Sequence, residues 1–212
     1  MCVLGVNGSG KSTLLNILSG LHDYTAGSIT VGGLDLRQID PVDVRRNIGY
    51  LPQDVGLFSG TLRDNLTMGA SDYNENRLIE AVTFSGLDRA IKTHPKGLDL
   101  EIADGGGGLS AGQRQAVGLA RLYLQNPKVV LLDEPTASLD QNAEGDLIAK
   151  LDKWLKNRTT IMTTHRMGVL KLVDNIAVMK DGAIAMHGPR DTVINTLKAG
   201  KGAEDVNAKA AS

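Results

Sequence analysis

Residues 2–18 read CVLGVNGSGKSTLLNIL, and this stretch decides the fold. Cys2–Val6 is a short, continuously apolar run, the pattern of a strand covered on both faces. It enters Gly5-Val6-Asn7-Gly8-Ser9-Gly10-Lys11-Ser12-Thr13, which fits GxxxxGK(S/T). A helix is expected next, with Leu14, Leu15, Leu18 and Leu21 on one face. Backbone N–H groups in such a loop curl round a phosphate, which needs glycines where φ is positive or a Cβ would block approach. The helix N-terminus adds partial positive charge. Asn7, Gly8, Ser9, Gly10, Lys11, Ser12 and Thr13 are therefore the candidate cradle. Lys11 sets its ammonium against the outer phosphates, and the Ser12 hydroxyl is a candidate ligand for a bridging Mg²⁺.

Outward from this stretch, apolar runs alternate with helical patterns, the signature of parallel strands joined by crossover helices. The expected class is α/β, with a mainly parallel sheet flanked by helices. Further strands are expected at Ser28–Val31, Ile48–Leu51, Val129–Leu132, Thr159–Thr164 and Asn175–Met179. An Asp181-Gly182 turn should start a hairpin into Ala183–Met186. Between residues 54 and 127 the rhythm breaks. Thr61–Met68, Asn74–Ser85 and Ser110–Leu124 read as helices with no strand among them, so a helical subdomain (54–127) is expected to interrupt a core made of 1–53 and 128–198. Four consecutive glycines, 105–108, predict a loosely restrained join before the last of these helices. Residues 199–212 have little apolar bulk and are expected to form a flexible tail.

Composition narrows the function. The 212 residues hold 23 Lys+Arg against 24 Asp+Glu, a net charge of −1, so no basic field draws nucleic acid or an anionic membrane. Aromatics make up 3%, too few for stacking platforms that grip single strands. Cys2 is the single cysteine and cannot pair within the chain, which favours a reducing compartment such as the cytosol. No run approaches the 18 or so apolar residues of a membrane span, so contact with a membrane is expected only through a partner.

The second half of a site is legible in three places. Val129–Leu132 runs into Asp133-Glu134, and ligands of open parallel sheets bind beyond the carboxyl ends of strands. Asp133 can hold Mg²⁺ through water, while Glu134 is placed to polarise a water that attacks a γ-phosphate. Thr159–Thr164 ends in His165, whose imidazole can donate to that phosphate. Gln53, after Ile48–Leu51, offers a neutral side chain near metal and water. Finally, Ser110 and Gln113 have capping-box spacing at a helix start, with Gly112 in the first turn. A capped, exposed N-terminus is also an anion site.

With these motifs in hand, the sequence over about residues 1–195 resembles the nucleotide-binding domain of ABC transporters. It has the Walker A loop (GVNGSGKST), Walker B (VVLLDE) and a signature LSAGQ, with Ala111 where LSGGQ is commoner. It also has a D-loop-like Ser138-Leu139-Asp140, Gln53 as the Q-loop glutamine and His165 as the switch histidine. The resemblance implies a P-loop ATPase that binds ATP with Mg²⁺ in a head-to-tail dimer. Ser110, Gly112 and Gln113 of one chain would then reach ATP held by the other. It further implies a membrane-domain partner and a place on the cytoplasmic face of the inner or plasma membrane. Leu57–Asn65 (LFSGTLRDN) and Glu101–Asp104 (EIAD) are similar to exporter loops, the second to the X-loop. Both resemble the ATPase half of type I secretion permeases that export proteins or peptides.

Domains of this family usually begin some two dozen residues before the phosphate loop, with strands carrying an aromatic residue that stacks on adenine. This sequence starts four residues before Gly5. Nothing in it takes that role, so ATP affinity is expected to be about tenfold or more below a domain that has it. Two other readings compete: a soluble ABC protein acting on ribosomes or DNA, disfavoured by the charge balance, and a fragment that binds nucleotide without turnover.

Overall fold

The computed structural model describes residues 1–70 and 72–200. Its strands are β1 (Cys2–Leu4), β2 (Thr30–Val31), β3 (Leu34–Asp35), β4 (Ile48–Leu51), β5 (Gly60–Thr61), β6 (Glu101–Ile102), β7 (Val129–Asp133), β8 (Thr159–Thr163), β9 (Asn175–Lys180) and β10 (Ala183–Pro189). Its α-helices are α1 (Lys11–Leu18), α2 (Pro41–Asn47), α3 (Leu62–Thr67), α4 (Glu75–Ser85), α5 (Asp88–Thr93), α6 (Ala111–Gln125), α7 (Gln141–Trp154) and α8 (Arg190–Lys198).

Six strands form the main sheet in the order β10-β9-β1-β8-β7-β4. All its pairs are parallel except β10 with β9, the hairpin expected at Asp181-Gly182. The central strands are apolar on both faces because both are covered. Along β7, Val130 and Leu132 join an apolar cluster with Leu51, Met162 and Ile176, whereas Leu131 packs on the opposite face with Leu15, Leu36, Val44 and Ile48. That is the period-two alternation of a strand buried between two layers. The larger cluster runs on without a break into Leu62, Leu66, Leu78 and Leu119 of the inserted helices.

Local chemistry explains where elements begin. Asp40 caps α2 by accepting from Val42 N at 2.7 Å, with Pro41 at the first helical position. Thr61 with Asp64, and Ser110 with Gln113, form reciprocal capping boxes on α3 and α6. Asn126, left-handed at φ 54°, ends α6.

Four expectations are corrected. The strand expected at Ser28–Val31 shrinks to Thr30–Val31 and leaves the main sheet to pair antiparallel with β3 across Gly32-Gly33. Two half-exposed residues are too few and too polar to lie between helix layers. The inserted region does contain strands: Gly60–Thr61 pairs antiparallel with Glu101–Ile102. Leu21 lies past the end of α1 and is 64% exposed, so only Leu15 of the expected stripe is fully buried. The glycine run is not slack. Residues 104–106 form a 3₁₀ turn and Ala103 bridges Gly107, while Gly106 is buried at φ 81°. A Cβ there would sit 2.7 Å from Arg114 Cδ, so the run is a turn that glycine alone fits.

Among the described residues no helix is long and apolar enough to cross a membrane. Of the expected tail, residues 201–212 lie outside the described residues.

Candidate functional site

The parallel sheet sets its strand ends at one edge. There β1 releases the glycine loop, β4 leads to Gln53 and β7 ends in Asp133 and Glu134. These segments enclose a cavity of about 360 Å³ lined by Asn7, Gly8, Gly10, Lys11, Ser12, Thr13, Gln53, Asp133 and Glu134. All nine were expected from sequence, and they come together from segments more than 120 positions apart in the chain. Ser9 does not line the cavity. It is buried behind the loop, 3% exposed, and its Oγ has no partner among the described residues.

The loop is held open by its own backbone. Gly10, at φ 96°, caps α1 in the left-handed region, and Ser9 N donates to Val6 O at 3.2 Å. Lys11, 7% exposed, folds back so that Nζ donates to Gly5 O at 2.9 Å and Val6 O at 3.0 Å. An ammonium has three donors, so one remains for an anion. Burial lowers the pKa of Lys11, and the charges of Glu134 and Asp133 oppose that shift.

The two acids are fixed differently. Asp133 is buried, and its Oδ1 accepts a short hydrogen bond from Thr163 Oγ1 on the neighbouring strand. Glu134 is left-handed at φ 51°. Its N–H faces both Thr163 O (3.2 Å) and Thr163 Oγ1 (3.1 Å). Its carbonyl accepts from Ala137 N at 3.1 Å and from Gln115 Nε2 at 2.7 Å. His165 does not line the cavity but reaches it through Glu134, its Nε2 2.8 Å from Glu134 Oε1. A carboxylate oxygen there can only accept, so Nε2 carries the hydrogen.

The helix start at Ser110 lies outside the cavity lining. Ser110 Oγ accepts from Gln113 N at 3.2 Å, and Gln113 Oε1 accepts from Ser110 N at 2.8 Å. Neither residue lines the cavity, nor does Gly112. A Cβ on Gly112 would lie 3.2 Å from Ser138 O, so close packing within the chain already asks for a small residue there.

Sequence reasoning missed Thr163 and Gln115. Both are polar residues inside otherwise buried runs, Thr163 fully buried and Gln115 3% exposed. That was the only signal available, because their partners lie 30 and 19 positions away.

For Mg²⁺ the donor set is one hydroxyl, one carboxylate and one amide oxygen, from Ser12, Asp133 and Gln53, all on the cavity wall. Hard oxygen donors suit Mg²⁺, which retains waters and takes substrate phosphate oxygens in place of an all-protein cage. Among the described residues no group of three or more His, Cys, Asp or Glu is gathered to hold a metal. The residues fit a cation that enters with a polyphosphate.

A phosphate loop, a buried acid and a second acid at one sheet edge define a P-loop nucleoside-triphosphatase. Comparison with known proteins gives the family. The ABC transporter family profile matches residues 1–137. An ATP-dependent lipid A-core flippase of Syntrophus aciditrophicus is 36% identical over 191 residues, 90% of this chain and 32% of that protein. ATP-binding cassette sub-family B member 6 of Rattus norvegicus is 34% identical over 195 residues, 92% of this chain and 23% of that protein. In structure the chain is similar to a bacterial Atm1-family ABC exporter with ATP bound, at TM-score 0.87 and 29% identity over 92% of this chain and 34% of that one. The chain belongs to the ABC transporter family and has the fold of an exporter ATP-binding domain. ATP hydrolysis is that family's general activity. The chain spans between about a quarter and a third of the length of these relatives.

Proposed function

We propose that this chain binds and hydrolyses ATP in the 360 Å³ cavity and that a head-to-tail pair of such chains drives an exporter's membrane domain. The observation that carries the reading is the convergence of Lys11, Ser12, Gln53, Asp133 and Glu134 on one cavity. The backbone of Asn7–Thr13 and the free N–H of Lys11 grip the β- and γ-phosphates. Ser12, Gln53 and Asp133 would hold Mg²⁺, which when bound would neutralise charge developing on the phosphate oxygens. Glu134, held in a strained backbone, accepts a proton from the attacking water. His165 keeps Glu134 oriented through the 2.8 Å contact and is placed to follow the γ-phosphate.

The signature residues Ser110, Gly112 and Gln113 complete the site only from a second chain, which is consistent with none of them lining this chain's own cavity. The two exporter-like loops form one substructure, since Thr61 pairs with Glu101 and Leu62 N donates to Leu100 O at 2.8 Å. Phe58, 52% exposed beside it, offers apolar area to a membrane-domain partner. Export of a protein or peptide, as in type I secretion, is the narrower form of the proposal and rests on these loops. A membrane domain as partner would place the chain at the cytoplasmic face of the membrane.

Steady-state phosphate release tests the reading. Glu134→Gln should lose about a hundredfold or more in turnover while ATP still binds, because only the proton acceptor is removed. Lys11→Ala should lose ATP binding itself. Equal rates for wild type and Glu134→Gln would instead support the reading as a non-hydrolysing fragment.

A further inference from the structure

Gln115 is buried on α6, the helix whose cap residues do not line the cavity. Its Nε2 donates to the Glu134 carbonyl at 2.7 Å. Its Oε1 is buried with no partner among the described residues. A glutamine satisfied at one end only is costly to bury, and an apolar side chain of similar volume would suit the core better. What glutamine alone supplies here is one donor. That donor meets the one acidic lining residue whose backbone is left-handed, Glu134 at φ 51°.

A residue with a Cβ stays in that region only where its surroundings hold it. Glu134 is held at both ends. Thr163 takes its N–H, and Ala137 N and Gln115 Nε2 share its carbonyl. Of these, Gln115 alone comes from the helix that carries the signature. Gly112, one turn earlier on the same helix, packs against Ser138 O. The start of α6 is thus joined to the acidic turn at two levels.

We propose that Gln115 is a positioning residue: its amide fixes the Glu134–Pro135 peptide and thereby the aim of the Glu134 carboxylate, so that the seating of the signature helix sets that aim. The proposal rests on the reading of Glu134 as proton acceptor. Gln115 does not line the cavity, so its loss should leave ATP affinity alone and act on turnover.

The test uses the full chain carrying Gln115→Met, a substitution of similar volume that removes the donor, with Gln115→Leu in its place if the first does not fold. Turnover should fall about tenfold or more, the ATP dissociation constant should stay within about twofold, and the loss should vanish in a Glu134→Gln background. Turnover within about twofold of wild type would overturn the proposal, as would a parallel loss of ATP affinity or a full additional loss in the Glu134→Gln background. Hydrogen exchange of residues 134–139 is read alongside. Faster exchange there in Gln115→Met, with 116–125 unchanged, supports the tether, and unchanged exchange at 134–139 overturns it. If wild type and Glu134→Gln release phosphate equally, the proton-acceptor reading fails, and Gln115 as the tether of the 134–135 peptide stands or falls on exchange alone.

Discussion

At the residue scale, a thiol shows how strongly this core excludes charge. Cys2 is fully buried in β1. Its pKa is pushed up to about 12, chiefly by burial, with the Glu134 charge adding to the rise and the terminal ammonium opposing it. Two outcomes are expected. At pH 8 the native chain should react with a thiol reagent about a hundredfold or more slowly than the unfolded chain. Stability should also fall in alkali. Below the ordinary thiol value of 9.0 both states keep the proton; from there to about 12 only the unfolded chain releases it, so unfolding gains as pH rises. Urea midpoints at pH 8.5 and 10.5 check this, the drop being shallower in Cys2→Ala and bounded by about 1.4 kcal/mol per pH unit. The residues legible in sequence were those whose chemistry fixes both type and spacing: Lys11 and Ser12 after glycines, Asp133 and Glu134 at a strand end. Gln115 and Thr163 were not legible, because what they do depends on which strand and helix become neighbours, and one chain's spacing carries no record of that.

At the element scale, α6 lies unusually close to β4, and two glycines permit it. A Cβ on Gly118 would meet Leu51 Cδ1 at 2.5 Å and Val55 Cγ2 at 2.8 Å, and one on Gly49 would meet Leu122 Cδ2 at 2.5 Å. Leu51 is fully buried and cannot retreat. Alanine in a helix interior otherwise gains about 1 kcal/mol over glycine, so the sign of Gly118→Ala depends on packing. Overpacking of about 1–3 kcal/mol exceeds the gain, and the variant should unfold at lower urea. Gly145 on α7 is exposed with nothing within 4 Å of its Cβ position, so Gly145→Ala should be stabilised by about 0.5–1 kcal/mol. Both shifts are read from the same denaturation curves. Long apolar strands such as β7 were visible in sequence because burial on two faces leaves a continuous run. β3, β5 and β6 were not, and β2 was read two residues too long, since a two-residue strand has no period to detect. The glycine run misled for a related reason: composition marks where positive φ is possible, while the side chains packed against Gly106 decide that it is required.

At the scale of the molecule, the cavity and the signature cap are separate features of one chain, and that separation predicts association. Ser110 Oγ and Gln113 Oε1 each accept from the other residue's backbone N–H, the first turn of α6 rests on Ser138, and none of Ser110, Gly112 and Gln113 lines this chain's own cavity. A phosphate that needs both must draw the cap from another copy. The near-balance of 23 basic and 24 acidic side chains opposes two copies only weakly by charge. In a Glu134→Gln background, where ATP persists, addition of Mg²⁺ and ATP should therefore convert monomer to dimer in light scattering. Ser110→Arg places a long cation at the contact and removes the cap. It should keep ATP affinity within about twofold, cost about 1 kcal/mol of stability and leave the chain monomeric. Dimers forming as readily in that variant would mean that the cap is a helix terminus and nothing more. The ATP would then have to be enclosed by some other surface of the chain.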